Sequence, residues 1–94
     1  SDVYKRQVLD EAFSKRLAIS PEAQAFLKAE NLDSTFLKKE LFKRSKVDFD
    51  HSKKDQVPCR EYLANYKSKD NTKDYDFVLE ICKEDSKLVS IKKK

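Results

Sequence analysis

The run Leu17-Ala18-Ile19-Ser20-Pro21-Glu22-Ala23 constrains this chain more than any other stretch, because it fixes where a helix begins. Ser20 is placed to accept hydrogen bonds from the unpaired N–H groups of a new helix, and Pro21 suits the first helical position, where no N–H is needed. Glu22 sets a negative charge against the positive end of the helix dipole. Upstream, Val8, Leu9, Ala12, Phe13, Arg16 and Leu17 recur at spacings that make one stripe. This predicts a first helix over residues 8–17 that stops where the run begins.

The second helix is expected over residues 21–30, with Ala23, Phe26 and Leu27 facing inward and Asn31 as its stop. Asp33 then caps a third helix, with Leu32 and Leu37 placed as a hydrophobic staple. Phe36, Leu37, Leu41 and Phe42 mark its buried side, and Lys38, Lys39, Lys43 and Arg44 its other side. Residues 45–57 carry no helical stripe. Val47 and Phe49 alternate with Asp48 and Asp50 like a short strand, and the rest has linker composition. Cys59, Tyr62, Leu63 and Tyr66 follow Pro58 at helical spacing, residues 67–73 form a polar break, and Phe77, Val78, Ile81, Cys82, Leu88 and Val89 predict a last helix from about Asp74. The expected fold class is therefore all-α: a small bundle of three short helices (residues 8–44), a mostly irregular linker (45–73) and a further C-terminal helix (74–94) leading toward a missing downstream domain.

Both ends of the sequence suggest a fragment. Residues 1–7, Ser-Asp-Val-Tyr-Lys-Arg-Gln, resemble the translated sequencing-adaptor scar found at the edges of reading frames in assembled environmental data, and such a tag belongs outside fold reasoning. The far end, Ile91-Lys92-Lys93-Lys94, stops with no helix-ending glycine or proline.

Several function classes are excluded by what the chain lacks. Glycine is absent, which removes every glycine-rich phosphate cradle and dinucleotide fingerprint. No apolar run is long enough to span a bilayer, so no membrane partner is expected. Cys59 and Cys82 stand 23 residues apart, and the single histidine, His51, sits between Asp50 and Ser52 in a polar stretch ahead of them. Zinc needs about four closely spaced ligands, so the thiols are expected to be reduced in a cytoplasmic protein, with no metal and no cofactor. No serine–histidine–aspartate set or metal cluster can be assembled around His51, so these residues are expected to be non-catalytic and to take no small-molecule ligand. The net charge of +4, from 21 basic and 17 acidic residues, permits contact with nucleic acid without requiring it.

The first helix, the Ile19-Ser20-Pro21-Glu22-Ala23 turn, the Phe26-Leu27 helix and the capped third helix together resemble the N-terminal helical domain of the small subunit of the archaeal family-D DNA polymerase. Asp74-Tyr75-Asp76-Phe77-Val78, followed by Lys87-Leu88 and Ile91, looks like the segment that precedes the oligonucleotide-binding-type domain of that family. Lys73 and Asp85-Ser86 stand where the family carries a glycine and an arginine–aromatic pair. The resemblance covers residues 8–44 and 72–94. It implies a docking region of a replicative polymerase subunit whose parent chain carries 3′–5′ exonuclease activity on histidine- and aspartate-bound metals, none of which fall here. The implied partners are the large polymerase subunit or another replication protein, with DNA reached through Lys38, Lys39, Lys43 and Arg44, in an archaeal, nucleoid-associated setting. The alternative is a stand-alone helical nucleic-acid-binding or protein-interaction module of another family, in which Tyr62 and Tyr66 could stack on bases.

Overall fold

The computed structural model of the chain describes residues 2–53, 55 and 57–94, with residues 2–6 and 13 described by their backbone. Helix α1 spans Asp2–Ser14, strand β1 Arg16–Ile19 and helix α2 Pro21–Ala29. A continuous helical segment α3 follows over residues 34–44, in which a π-helical turn, Leu37–Leu41, lies between the short turns Ser34–Phe36 and Phe42–Arg44. Strands β2 (Ser45–Lys53), β3 (Arg60–Lys67), β4 (Asp74–Ile81) and β5 (Asp85–Lys93) complete the chain. The sheet runs β1-β5-β4-β3-β2, with β1 parallel to β5 and every other pair antiparallel.

The all-α expectation is thus overturned: the protein is a mixed α/β fold built on a five-stranded sheet. Residues 45–73, expected to be an irregular linker, carry β2 and β3. Residues 74–94, expected to be helical, carry β4 and β5. The first helix ends at Ser14, and Arg16–Ile19 is a strand rather than the tail of that helix. The adaptor-like reading of residues 1–7 falls partly on Ser1 and on side chains 2–6, which lie outside the described residues, as does the side chain of Phe13.

The physical reason is period. Tyr62, Ala64 and Tyr66 alternate with half-buried or exposed neighbours along β3, as do Tyr75, Phe77, Leu79 and Ile81 along β4. A two-residue period lines one face of a strand. That face packs on Val8, Leu9 and Ala12 of α1, Ala23 and Leu27 of α2, and Leu37, Leu41 and Phe42 of α3 in a single core cluster. The π-helical turn, closed by the Phe42 N–H donating to the Leu37 carbonyl, lets Leu37, Leu41 and Phe42 all reach that core.

The caps of α2 and α3 and the stop of α2 behave as the sequence indicates. Ser20 Oγ accepts from the Ala23 N–H at 3.1 Å and Asp33 Oδ1 from the Phe36 N–H at 2.9 Å. Asn31 ends α2 at φ 59°, where Leu32 N–H donates to the Leu27 carbonyl at 2.8 Å and Asn31 N–H to the Lys28 carbonyl at 3.1 Å. This is the Schellman closure, with asparagine in the left-handed place that glycine usually fills. Asn71, at φ 62°, does the same work in the β3–β4 hairpin. Among the described residues this glycine-free chain meets its left-handed positions with asparagine, whose short polar side chain tolerates them.

Helix α1 is tied to the sheet at two points. The buried Ser86 hydroxyl on β5 donates to the Ala12 carbonyl at 2.6 Å. Glu11 accepts from both Lys15 and Arg60 at 2.8 Å, linking α1 to β3. Burial opposes ionisation of Glu11, but the hydrogen bonds from Lys15 and Arg60 outweigh it and hold the carboxyl below the usual glutamate range.

Two outcomes follow. Asn31→Gly should leave stability within a few tenths of a kcal/mol in urea denaturation, whereas Asn31→Val should lower it by about 1–2 kcal/mol through the left-handed penalty. Glu11→Gln should cost about 0.5–1 kcal/mol at neutral pH, the usual scale of a partly exposed ion-pair network. Because the folded pKa of Glu11 is depressed, its contribution is present above the ordinary 4.5 and is lost as pH falls through the folded value. The stability gap between wild type and Glu11→Gln should therefore close on acidification.

Candidate peptide-binding groove

Strand β1 is an edge strand, bonded to β5 on one side only. Its position is set by Ser20. The Ser20 N–H donates to the Leu88 carbonyl at 3.1 Å, and the Ser20 hydroxyl donates to the Val89 carbonyl at 2.6 Å. Val89 is the extra residue of a bulge, since Val78 pairs with Ser90 while Leu79 pairs with Leu88. In a parallel ladder alternate residues address the same neighbour. With Ser20 turned to β5, Ala18 turns to β5 as well, and the N–H and C=O groups of Leu17 and Ile19 face the open edge. The Ile19 carbonyl accepts from Gln24 Nε2 at 2.9 Å, an exposed side chain that an incoming donor can replace.

Beside that edge lie two adjoining hollows that share Ile19, Ser34 and Leu37. The first, of about 340 Å³, is floored by Leu17, Ile19, Leu37 and Phe42 and rimmed by Lys15 and Lys38. The second, of about 420 Å³, is floored by Ile19, Leu27, Leu32 and Leu37, with Lys28 and Asp33 at its rim. The two hollows are lined by three lysines, Lys15, Lys28 and Lys38, and one carboxylate, Asp33; Lys15 is engaged by Glu11 and by the Cys82 carbonyl at 2.6 Å, and Asp33 caps α3.

Of the four cations singled out in the sequence, Lys38, Lys39, Lys43 and Arg44, all are exposed on α3, and Arg44 pairs with Glu40 at 3.3 Å. Lys38 alone among them lines the groove. The tyrosines considered for base stacking are not available for it: Tyr62 is 0% exposed and Tyr66 is 2% exposed. Tyr66 stacks on Tyr75 at 6.0 Å and meets Phe36 edge-on at 5.3 Å, and its hydroxyl donates to Glu40 at 3.1 Å. Burial, reinforced by the Glu40 carboxylate, pushes the Tyr66 phenol up to about 12. His51 is exposed, as expected, and its Nδ1 lies 2.7 Å from Asp48 Oδ2. Ser52 adjoins that pair, but its hydroxyl donates to the Asp48 carbonyl and accepts from the Leu63 N–H, so it is held by backbone rather than aimed at the imidazole. No helix among the described residues is long and apolar enough to cross a membrane.

Sequence reasoning missed Leu17 and Ile19 as groove residues. The available signal was the Leu-Ala-Ile alternation ahead of the cap, which fits a short strand as well as a helix end. Compared with known proteins, the chain matches no family model, no curated protein and no solved structure at a significant level.

Replacing Tyr66 with Phe should remove the phenolate absorbance that appears near pH 12 and leave the earlier part of the ultraviolet titration unchanged. The folded pKa is raised, so the stabilisation from the protonated phenol is full below the ordinary 10.0 and is lost as pH rises through about 12.

Proposed function

We propose that this chain is a non-catalytic protein-interaction module that takes up an extended peptide segment along the free edge of β1. The observation that carries this reading is the coincidence of outward-facing Leu17 and Ile19 backbone groups with the two apolar hollows beside them. An added strand meets both requirements at once. Its backbone pairs with β1, and its side chains at positions i and i+2, on one face and about 6.6–6.8 Å apart, enter the hollows. Lys28 and Lys38 at the rim select acidic neighbours in the peptide, so the ligand is an acidic segment with two apolar residues at alternate positions. With only four residues of β1 available, the contact is small and suits a transient partner.

The partner is defined here by the chemistry of the groove. The polymerase-subunit resemblance carried an expectation of a helical bundle, and the sheet removes that support. The cytoplasmic setting expected from the sequence belongs to the same proposal.

The test is an array of synthetic peptides with apolar residues at i and i+2, flanked by either acidic or basic residues, probed with the full chain and followed by amide chemical shifts. Acidic peptides should bind with shifts centred on Leu17 and Ile19. Leu17→Pro, which removes an outward donor, and the Lys28→Glu/Lys38→Glu pair should each weaken binding at least tenfold while circular dichroism stays unchanged. Equal binding of acidic and basic peptides, or shifts away from β1, would overturn the reading. Salt-sensitive binding of duplex DNA that is lost on changing Lys38, Lys39, Lys43 and Arg44 to alanine would transfer the function to nucleic acid.

A further inference from the structure

A second constellation lies on the opposite face of the sheet from the helices, at the end of β3 and β4. Arg60 pairs with Ile81, so continuing the register by one residue sets Cys59 against Cys82. The two are joined by a disulfide with Cα atoms 4.3 Å apart, which corrects the expectation of separate reduced thiols. That Cα separation is the close one of a non-hydrogen-bonded antiparallel pair, where side chains are nearest. The Cys82 N–H accordingly points away from Cys59 and donates to the Asp85 carbonyl at 2.8 Å.

Two residues along, on the same face, Glu61 is directly opposite Glu80. Both are half-buried, and neither makes an ion pair among the described residues. Lys87, the β5 residue in register with Glu80, makes none with it either. Like charges directly opposite in a ladder are unfavourable unless something compensates them. The Glu80 carboxylate instead lies 3.8 Å from Cys82 Sγ, and the donor atoms of Cys59, Glu80 and Cys82 fall within 4.8 Å of one another.

We propose that the dithiol form of this corner is a zinc-binding site, with Cys59, Cys82 and Glu80 as ligands and Glu61 or water in the fourth position, and that disulfide formation releases the metal. Tetrahedral zinc with Zn–S bonds of about 2.3 Å needs two thiolate sulfurs about 3.8 Å apart, a separation that side-chain rotation supplies without moving the strands. A borderline-soft cation suits mixed sulfur and carboxylate donors, whereas calcium or magnesium would avoid the sulfurs. The redox step balances with a dithiol as reductant. The Cys59–Cys82 bond accepts two electrons and two protons to give two thiols, the reductant closes its own disulfide, and zinc then displaces both thiol protons. In reverse, a hydroperoxide takes two electrons from the thiolates, leaves as water and alcohol after gaining two protons, and the S–S bond re-forms as zinc departs.

The full chain, reduced with a phosphine and kept free of oxygen, is titrated with zinc against a chromophoric chelator, and with cobalt(II) as a spectroscopic probe. One zinc per reduced chain and a thiolate-to-cobalt charge-transfer band are expected, with none in the oxidised chain. Cys59→Ser or Cys82→Ser should abolish the band, and Glu80→Gln should weaken zinc at least tenfold while leaving circular dichroism unchanged. If reduction itself unfolds the chain, recovery of the strand signal on adding zinc supports the site, because metal binding then drives folding, and failure to recover overturns it. Absence of zinc uptake by a folded reduced chain, uptake by the oxidised chain, or indifference to these substitutions would equally overturn it.

Discussion

The architecture depends on what happens at Ser20. Its backbone N–H and hydroxyl both bond to β5, at Leu88 and Val89, while the same hydroxyl oxygen accepts from Ala23 and its carbonyl accepts from the Gln24 N–H at 2.8 Å. One residue therefore ends β1, begins α2 and fastens both to the far side of the chain. The bulge at Val89 is what presents the carbonyl that the hydroxyl needs. Without this junction, the first strand has no reason to lie parallel to β5, and the groove between β1 and α3 has no floor.

The same device recurs where the helices meet the sheet. Ser86 on β5 binds the Ala12 carbonyl of α1, and the buried Ser45 hydroxyl, at the start of β2, donates to the Leu41 carbonyl as α3 ends. Each serine satisfies a backbone acceptor that the loss of regular structure would otherwise leave exposed to an apolar interior, where an unmade hydrogen bond costs about 1–3 kcal/mol. The core can then be almost wholly apolar and aromatic, with Tyr66 and Tyr75 sending their hydroxyls outward to Glu40 and Glu30. Polar atoms lie at the rim of the core and hydrocarbon at its centre.

How much of this was legible in the sequence divides along local and non-local lines. The caps at Ser20 and Asp33, the stop at Asn31, the inward side of α3 at Leu37, Leu41 and Phe42, and the exposure of His51 all depend on neighbours within one turn, and they read correctly. The sheet did not. Leu63 on β3, Val78 on β4 and Val89 on β5 are apolar residues on the uncovered face, each only half-buried. They interrupt the alternation and create pairs such as Leu63–Tyr66 and Val78–Ile81 at helical spacing, so two periods compete in the same residues. The pairing that decides between them is set by partners far away in sequence. The groove was missed for the same reason, since Leu17 and Ile19 acquire their role only once β5 is beside them.

The parallel pairing of β1 with β5 has a kinetic consequence. Residues 69 apart in sequence must meet before Ser20 can bond to Val89. The β2–β3–β4–β5 meander, by contrast, closes through successive antiparallel neighbours. Chain entropy lost in joining distant segments is recovered only after they touch, so assembly of the meander is expected to come first and capture of β1 to complete it. Strand β1, made before the other four strands of this sheet, is then among the last to find its place, and until it does the flank of β5 stands as an unsatisfied template for any extended polypeptide nearby.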